Sequence, residues 1–91
     1  MYMEKPKTRR KARRYLPALL WHVQKLRGNR GVVISIKTRD ICGADKRCAL
    51  TLRYIMMWLV ERGLAKRHKQ GVYLIERAAV EEVLSALREW I

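Results

Sequence analysis

Residues 45–63 read DKRCALTLRYIMMWLVERG and predict one long helix that begins after Asp45 and ends at Gly63. Aspartate is a common helix N-cap residue, and no glycine or proline interrupts the segment before Gly63. Apolar side chains cover one face of this helix, and Leu50, Met57 and Trp58 lie elsewhere on its surface. A helix that is apolar on more than one side is usually sandwiched. We therefore expect it to pack inside its own core or against a second subunit.

Three shorter elements are predicted before this helix. Leucine and valine residues at spacings of three and four predict a helix over 16–27, with Pro17 in its first turn. A β-branched run over 32–36 predicts a brief strand. Thr38 is then expected to cap a second helix of about one turn, which Gly43 ends.

Two elements are predicted after the long helix. Two arms over 64–67 and 72–75 predict a hairpin whose loop, residues 68–71, is strongly basic. A last helix is expected over 77–91, with an apolar seam that could pack on the first helix or on a copy of itself. That seam consists of Val80, Leu84, Leu87 and Ile91.

The N-terminal residues 1–14 are densely basic and contain almost no apolar side chains. Such a segment is typical of a flexible arm that settles on phosphates, so we expect an arm over 1–14 and one folded domain over 15–91. Alternatively, Thr8 could cap a longer first helix.

The charge of the chain is large and unevenly distributed. The 91 residues carry a formal net charge of +13, and residues 1–70 hold 19 basic and 4 acidic side chains. Neutralising phosphates releases counterions, which favours binding of such a surface to nucleic acid. The alternatives are a solvated basic surface or an acidic membrane. Charge alone does not distinguish DNA from RNA.

Composition also bears on the environment of the chain. The longest apolar run, residues 54–60, is far shorter than the roughly 20 residues that span a bilayer, so we expect no membrane association. Two cysteines indicate a reducing interior, so we expect a cytoplasmic location. The expected nucleic-acid partner would place the protein on the nucleoid or the ribosome. One Asn, two Gln and 13 Arg against 8 Lys fit a thermophilic source.

The residues that could carry chemistry are few. Cys42 and Cys48 stand six apart, unlike paired zinc ligands, so we expect two buried thiols between the second and third helices. A disulfide between them is the alternative. Phosphate-binding loops, dinucleotide fingerprints and nucleophile motifs are absent from the sequence. We therefore expect no enzyme, no cofactor and no metal site.

The order of these elements carries a family resemblance. Residues 34–43, ISIKTRDICG, match a strand and second helix, and residues 45–63 match a third helix that ends in LVERGL at 59–64. This pattern resembles the winged helix-turn-helix family, in particular small archaeal winged-helix DNA-binding proteins. The resemblance implies a mainly α, α+β fold with a three-helix core, a wing over 64–75 and a C-terminal helix over 77–91.

An α-helix fits the major groove of DNA and its N-terminal residues reach base edges. We expect Arg47 to contact guanine, Thr51 a base or phosphate, and Lys46 a phosphate. Tyr54 could instead pack in the core. The wing is expected to lie along a backbone or in a minor groove. The candidate nucleic-acid-binding residues are Arg9, Arg10, Arg13, Arg14, Lys37, Arg39, Lys46, Arg47, Thr51, Arg53, Tyr54, Lys66, Arg67, His68 and Lys69.

The expected partner is therefore a nucleic acid, with duplex DNA favoured. The first hypothesis is a DNA-binding transcriptional regulator, possibly a homodimer on a palindromic site. The second is a ribosome-associated or other structured-RNA-binding protein, which would be monomeric when unbound. The third is a chromatin protein of low sequence specificity.

Overall fold

The computed structural model describes residues 6–28 and 31–90, with side chains from Ala12 onward. These residues form four α-helices, one three-stranded antiparallel sheet and a single 3-10 turn, which is an α+β architecture. In chain order the elements are α1 (Pro6–Leu26), β1 (Val33–Lys37), α2 (Thr38–Cys42), α3 (Lys46–Glu61), β2 (Lys66–Lys69), β3 (Val72–Glu76), the 3-10 turn (Arg77–Ala79) and α4 (Val80–Arg88).

Helix α1 starts much earlier than predicted. It begins at Pro6, so residues 6–14 are helical rather than a flexible arm, while residues 1–5 lie outside the described part of the chain. The alternative of a longer first helix is the one observed, although Thr8 lies inside the helix and does not precede it. The apolar stripe continues back from Leu16 to Ala12, and both side chains are fully buried. Pro17 lies inside the helix instead of in its first turn. Because Pro17 is exposed, water can reach the carbonyl that lacks a helical donor there.

The two helices after β1 begin in different ways. The predicted cap at Thr38 is wrong, because Thr38 is the first residue of α2 and its side chain does not cap the helix. Instead, its backbone N–H donates to the carbonyl of Gly71 at 2.9 Å, and its Oγ1 approaches the same oxygen at 3.4 Å. The predicted cap at Asp45 is confirmed. Its Oδ1 accepts from the backbone N–H groups of Arg47 at 3.0 Å and Cys48 at 3.1 Å.

A disulfide joins Cys42 and Cys48, whose Cα atoms are 5.5 Å apart. The expectation of two separate thiols is therefore wrong, and the alternative is the one observed. Six residues of spacing suffice because the tight turn after α2 brings the last residue of that helix beside the first turn of α3. None of the residues of α2 is fully buried, so the bond is a principal attachment of this short helix.

The sheet has the strand order β1-β3-β2. In its register Ile34 faces Ile75 and Ile36 faces Tyr73, and all four side chains are buried against the helices. The hairpin between β2 and β3 is tighter than predicted. Residues 68 and 69 belong to strand β2, so the predicted four-residue loop reduces to a turn at 70–71. Gly71 has a φ of 75°, a conformation that glycine adopts readily.

The C-terminal helix is shorter than the predicted range 77–91. The 3-10 turn precedes it, and the predicted seam residues Val80, Leu84 and Leu87 are buried, while Ile91 lies outside the described residues. Helix α4 packs against α1 of the same chain. Trp90 follows it and meets the Trp58 ring edge-on, with centroids 5.3 Å apart.

Candidate nucleic-acid interface

A groove of about 350 Å³ lies between the first half of α3 and the hairpin. Helix α3 contributes Lys46 and Arg53, and strand β2 contributes Arg67. Three cations from two separate elements thus share one concave surface. The residues that line it are Thr38, Lys46, Ala49, Leu50, Arg53, Arg67, Gln70, Gly71 and Tyr73, none of which is acidic.

The shape of this groove is fixed by the contact between the start of α2 and the hairpin turn. The two hydrogen bonds of Thr38 to Gly71 hold that turn near the mouth of the groove. Tyr73 is 1% exposed and lies at the base, where it belongs to the core, whereas Leu50 is 57% exposed. The groove therefore combines apolar and aromatic side chains with three cations, an arrangement that suits the sugars and phosphates of a nucleic-acid backbone.

Most of the other predicted contact residues are exposed but lie outside this groove. Arg47 is at the solvent-facing start of α3, and Lys37 and Arg39 flank the start of α2. On the hairpin, Lys66, His68 and Lys69 are exposed on β2. None of these side chains lines the groove, and Lys66 lines a separate pocket together with Glu76.

Thr51 does not belong to this surface, and its predicted base or phosphate contact is wrong. Its side chain is 4% exposed, and its Oγ1 donates to the backbone carbonyl of Arg47 at 2.8 Å. The cause is the rotation of α3, which turns Thr51 toward the core side that Leu52 and Ile55 occupy. A buried, paired hydroxyl does not reach a nucleic acid.

Tyr54 lies on the opposite side of α3 from the core. It is 64% exposed, so the alternative of core packing is wrong and the ring is accessible. The exposed Leu50 stands one turn before it. Sequence reasoning noticed Leu50 as an apolar residue off the core face but did not place it at the groove. The sequence did contain a signal for this position, because Leu50 is an apolar residue with basic residues nearby on the same helix.

The basic residues of α1 do not line the groove either. Arg13 and Arg14 are exposed; Arg13 donates from Nε to the carbonyl of Trp90 at 3.4 Å, and the guanidinium of Arg14 lies 5.9 Å from the Tyr15 ring centroid. The side chains of Arg9 and Arg10 lie outside the described residues. Sequence reasoning also missed Gln70 and Gly71, which it placed in the hairpin loop without naming them as contact residues.

The described part of the chain gives little support for a metal site or a membrane-spanning helix. Residues 6–28 and 31–90 contain no group of three His, Cys, Asp or Glu side chains that could hold a metal ion. No helix among them is both long enough and apolar enough to cross a membrane. His22 on α1 is half-buried, and burial lowers the pKa of its imidazole despite the opposing effect of Asp40.

Comparison with known proteins returned no matching family, no matching curated protein and no matching solved structure. The groove, its charges and the topology around it are therefore the grounds on which a function can be inferred.

Proposed function

We propose that this protein is a winged-helix nucleic-acid-binding protein, with α3 as its recognition helix and the β2–β3 hairpin as its wing, and that it acts as a DNA-binding transcriptional regulator. The observation that carries the proposal is the groove in which Lys46 and Arg53 of α3 face the same space as Arg67 of the hairpin. A lone basic helix or a lone basic turn would be a weaker argument, since either one is often only solvated.

The topology supports the same proposal. A helix, a strand and two further helices precede the hairpin, and the first strand pairs with the second strand of that hairpin. This order is similar to the winged helix-turn-helix arrangement that the sequence resembles. In such an arrangement the third helix enters the major groove and the hairpin contacts the adjacent backbone or minor groove.

The electrostatics favour a polyanionic partner. The net charge of +13 raises the local concentration of polyanions, and each phosphate contact releases counterions. Three cations line the groove, and none of its lining residues is acidic. On this proposal Lys46, Arg53 and Arg67 contact phosphates, and Arg47 at the start of α3 reaches a base edge.

The test is binding of labelled duplex DNA by the purified protein at several salt concentrations. The double variant Arg53→Ala/Arg67→Ala should lose at least about tenfold in affinity and reduce the salt dependence by roughly two charges. The matched control is Arg77→Ala/Arg88→Ala, which removes two exposed arginines outside the groove. Equal affinity of the double variant and the control would exclude the groove as the binding surface.

Structured RNA is a second candidate partner, and one observation favours it. Leu50 and Tyr54 present an apolar and an aromatic side chain beside Arg53 on the accessible face of α3. Unpaired bases of RNA loops stack on such side chains. Competition of labelled duplex DNA with a folded RNA at equal salt separates the two, because preferential displacement by RNA would replace the regulator proposal with an RNA-binding one.

A further inference from the structure

The outward face of α3 carries an apolar stripe with a charge at each end. Leu50 and Tyr54 are 57% and 64% exposed, and half-buried Met57 continues the stripe toward the end of the helix. Lys46 lies at its start and Glu61 at its end, and both are exposed. Adjacent exposed apolar side chains with a charged rim are typical of interaction surfaces.

We propose that this stripe, Lys46–Leu50–Tyr54–Met57–Glu61, is the contact surface for a second copy of the chain, with the two α3 helices antiparallel. The stripe is complementary to itself. With a two-fold axis beside Tyr54, Leu50 lies at the level of the partner's Met57, and Lys46 lies at the level of the partner's Glu61. A two-fold interface uses the same patch on both copies, so each of these contacts occurs twice.

Charge selects the antiparallel arrangement and a second copy as the occupant. In a parallel pair Lys46 would face the partner's Lys46, and Glu61 would face the partner's Glu61, which disfavours association. The net charge of +13 also opposes association of two copies. The antiparallel register places each of the two end charges of the stripe opposite its counter-charge, and so counteracts this repulsion locally. Arg53, which borders the stripe beside Leu50 and Tyr54, lies in this register at the level of the partner's Tyr54.

The size of the surface sets the strength of the dimer. Helix α3 has 16 residues and is therefore about 24 Å long, so one helix pair forms a small interface. We expect a reversible dimer with a dissociation constant on the order of 10 to 100 µM. Lys46 also lines the groove, so pairing and nucleic-acid binding compete. The dimer itself does not depend on the proposed function.

The test is sedimentation equilibrium of the full chain without nucleic acid, over concentrations from roughly 5 to 500 µM. Lys46→Glu and Glu61→Lys should each raise the dissociation constant at least about fivefold, because like charges then meet twice. The double variant Lys46→Glu/Glu61→Lys restores both pairs and should return to within about threefold of the wild-type value.

The signs of these effects separate a specific contact from general repulsion. Lys46→Glu lowers the net charge and by repulsion alone would strengthen the dimer. The matched control Lys66→Glu makes the same charge change on β2, outside the stripe, and should not weaken it. Leu50→Glu should abolish the dimer. Circular dichroism of each variant checks that the exposed substitutions leave the fold intact.

Three results would overturn the proposal. They are a monomer throughout the concentration range, a dimer that survives Leu50→Glu, and a double variant whose dimer dissociation constant is as high as those of the two single variants. Nucleic-acid binding is measured separately with Arg67→Ala, which lies outside the stripe. Loss of the dimer and failure of the proposed function are therefore distinguishable.

Discussion

Cys42 and Cys48 are bonded to each other, which fastens the last residue of α2 to the first turn of α3. Helix α2 has no fully buried residue, and its other contacts are the half-buried Ile41 against the core and the hydrogen bond of Thr38 to Gly71. The disulfide is therefore one of the contacts that attach α2 to the rest of the fold.

Reduction of this disulfide should lower the stability of the protein. Closing a loop of this length is worth about 2 kcal/mol in the unfolded-chain model, which corresponds to a decrease in Tm of roughly 10 °C for a domain of this size. Thermal unfolding with and without a thiol reductant measures the effect. The double variant Cys42→Ser/Cys48→Ser should unfold near the reduced protein and show no response to reductant. A reductant effect in that variant would assign the change to another cause.

Loss of the cap on α3 should also destabilise the protein. Asp45→Ala removes the acceptor for the N–H groups of Arg47 and Cys48, at a cost of about 1 kcal/mol in the free energy of unfolding. Asp45→Asn changes the charge equally but keeps a capping oxygen, so it should remain within a few tenths of a kcal/mol of wild type. Urea unfolding compares them. Equal losses in both variants would indicate a charge effect instead of a lost cap.

His22 should make the stability of the protein depend on pH. Burial lowers the pKa of His22 in the folded chain below its usual value of 6.5, so the unfolded chain binds the proton more readily. Its contribution is therefore fully present above pH 6.5 and is progressively lost as the pH falls below that value. Urea unfolding at pH 7.5 and at pH 5.5 tests this. His22→Gln should show a smaller difference between the two conditions, and an unchanged difference would contradict the assignment.

Thr51 and Arg53 should respond in opposite ways although only one residue separates them. Thr51→Val keeps the buried shape and removes the hydrogen bond to Arg47, so it should cost about 1 kcal/mol of stability or less and leave nucleic-acid affinity within twofold. Arg53→Ala should leave the free energy of unfolding within about 0.5 kcal/mol and weaken binding several-fold. Binding and unfolding measured on the same two proteins give the comparison.

Local signals were sufficient to predict α3 and its cap. Asp45 followed by a segment without glycine or proline indicated a long helix, and the β-branched run over 32–36 indicated a brief strand. The start of α1 was not predictable in the same way. Pro17 resembles a first-turn proline locally, and only the packing of Ala12 against the core shows that the helix continues through it.

Predicting the groove would have required the distances between separate elements, which no local sequence pattern contains. Its two sides come from α3 and β2, which are separate in the sequence and meet only in the folded chain. The predicted contact of Thr51 was wrong for a related reason, because a modest rotation of α3 decides whether a residue at the edge of the core is buried. The bond between Cys42 and Cys48 depended on the turn geometry at Gly43, which spacing alone does not specify.

The three tryptophans occupy three different environments. Trp21 is 62% exposed beside Lys25, Trp90 is 3% exposed, and Trp58 lies between the Trp90 ring and the guanidinium of Arg62. Undocking of the C-terminal helix would bring the Trp90 indole into water while leaving Trp21 unchanged. The natural fluorescence of the chain would then shift to longer wavelength and become accessible to iodide quenching, so opening at this end could be followed without an added label.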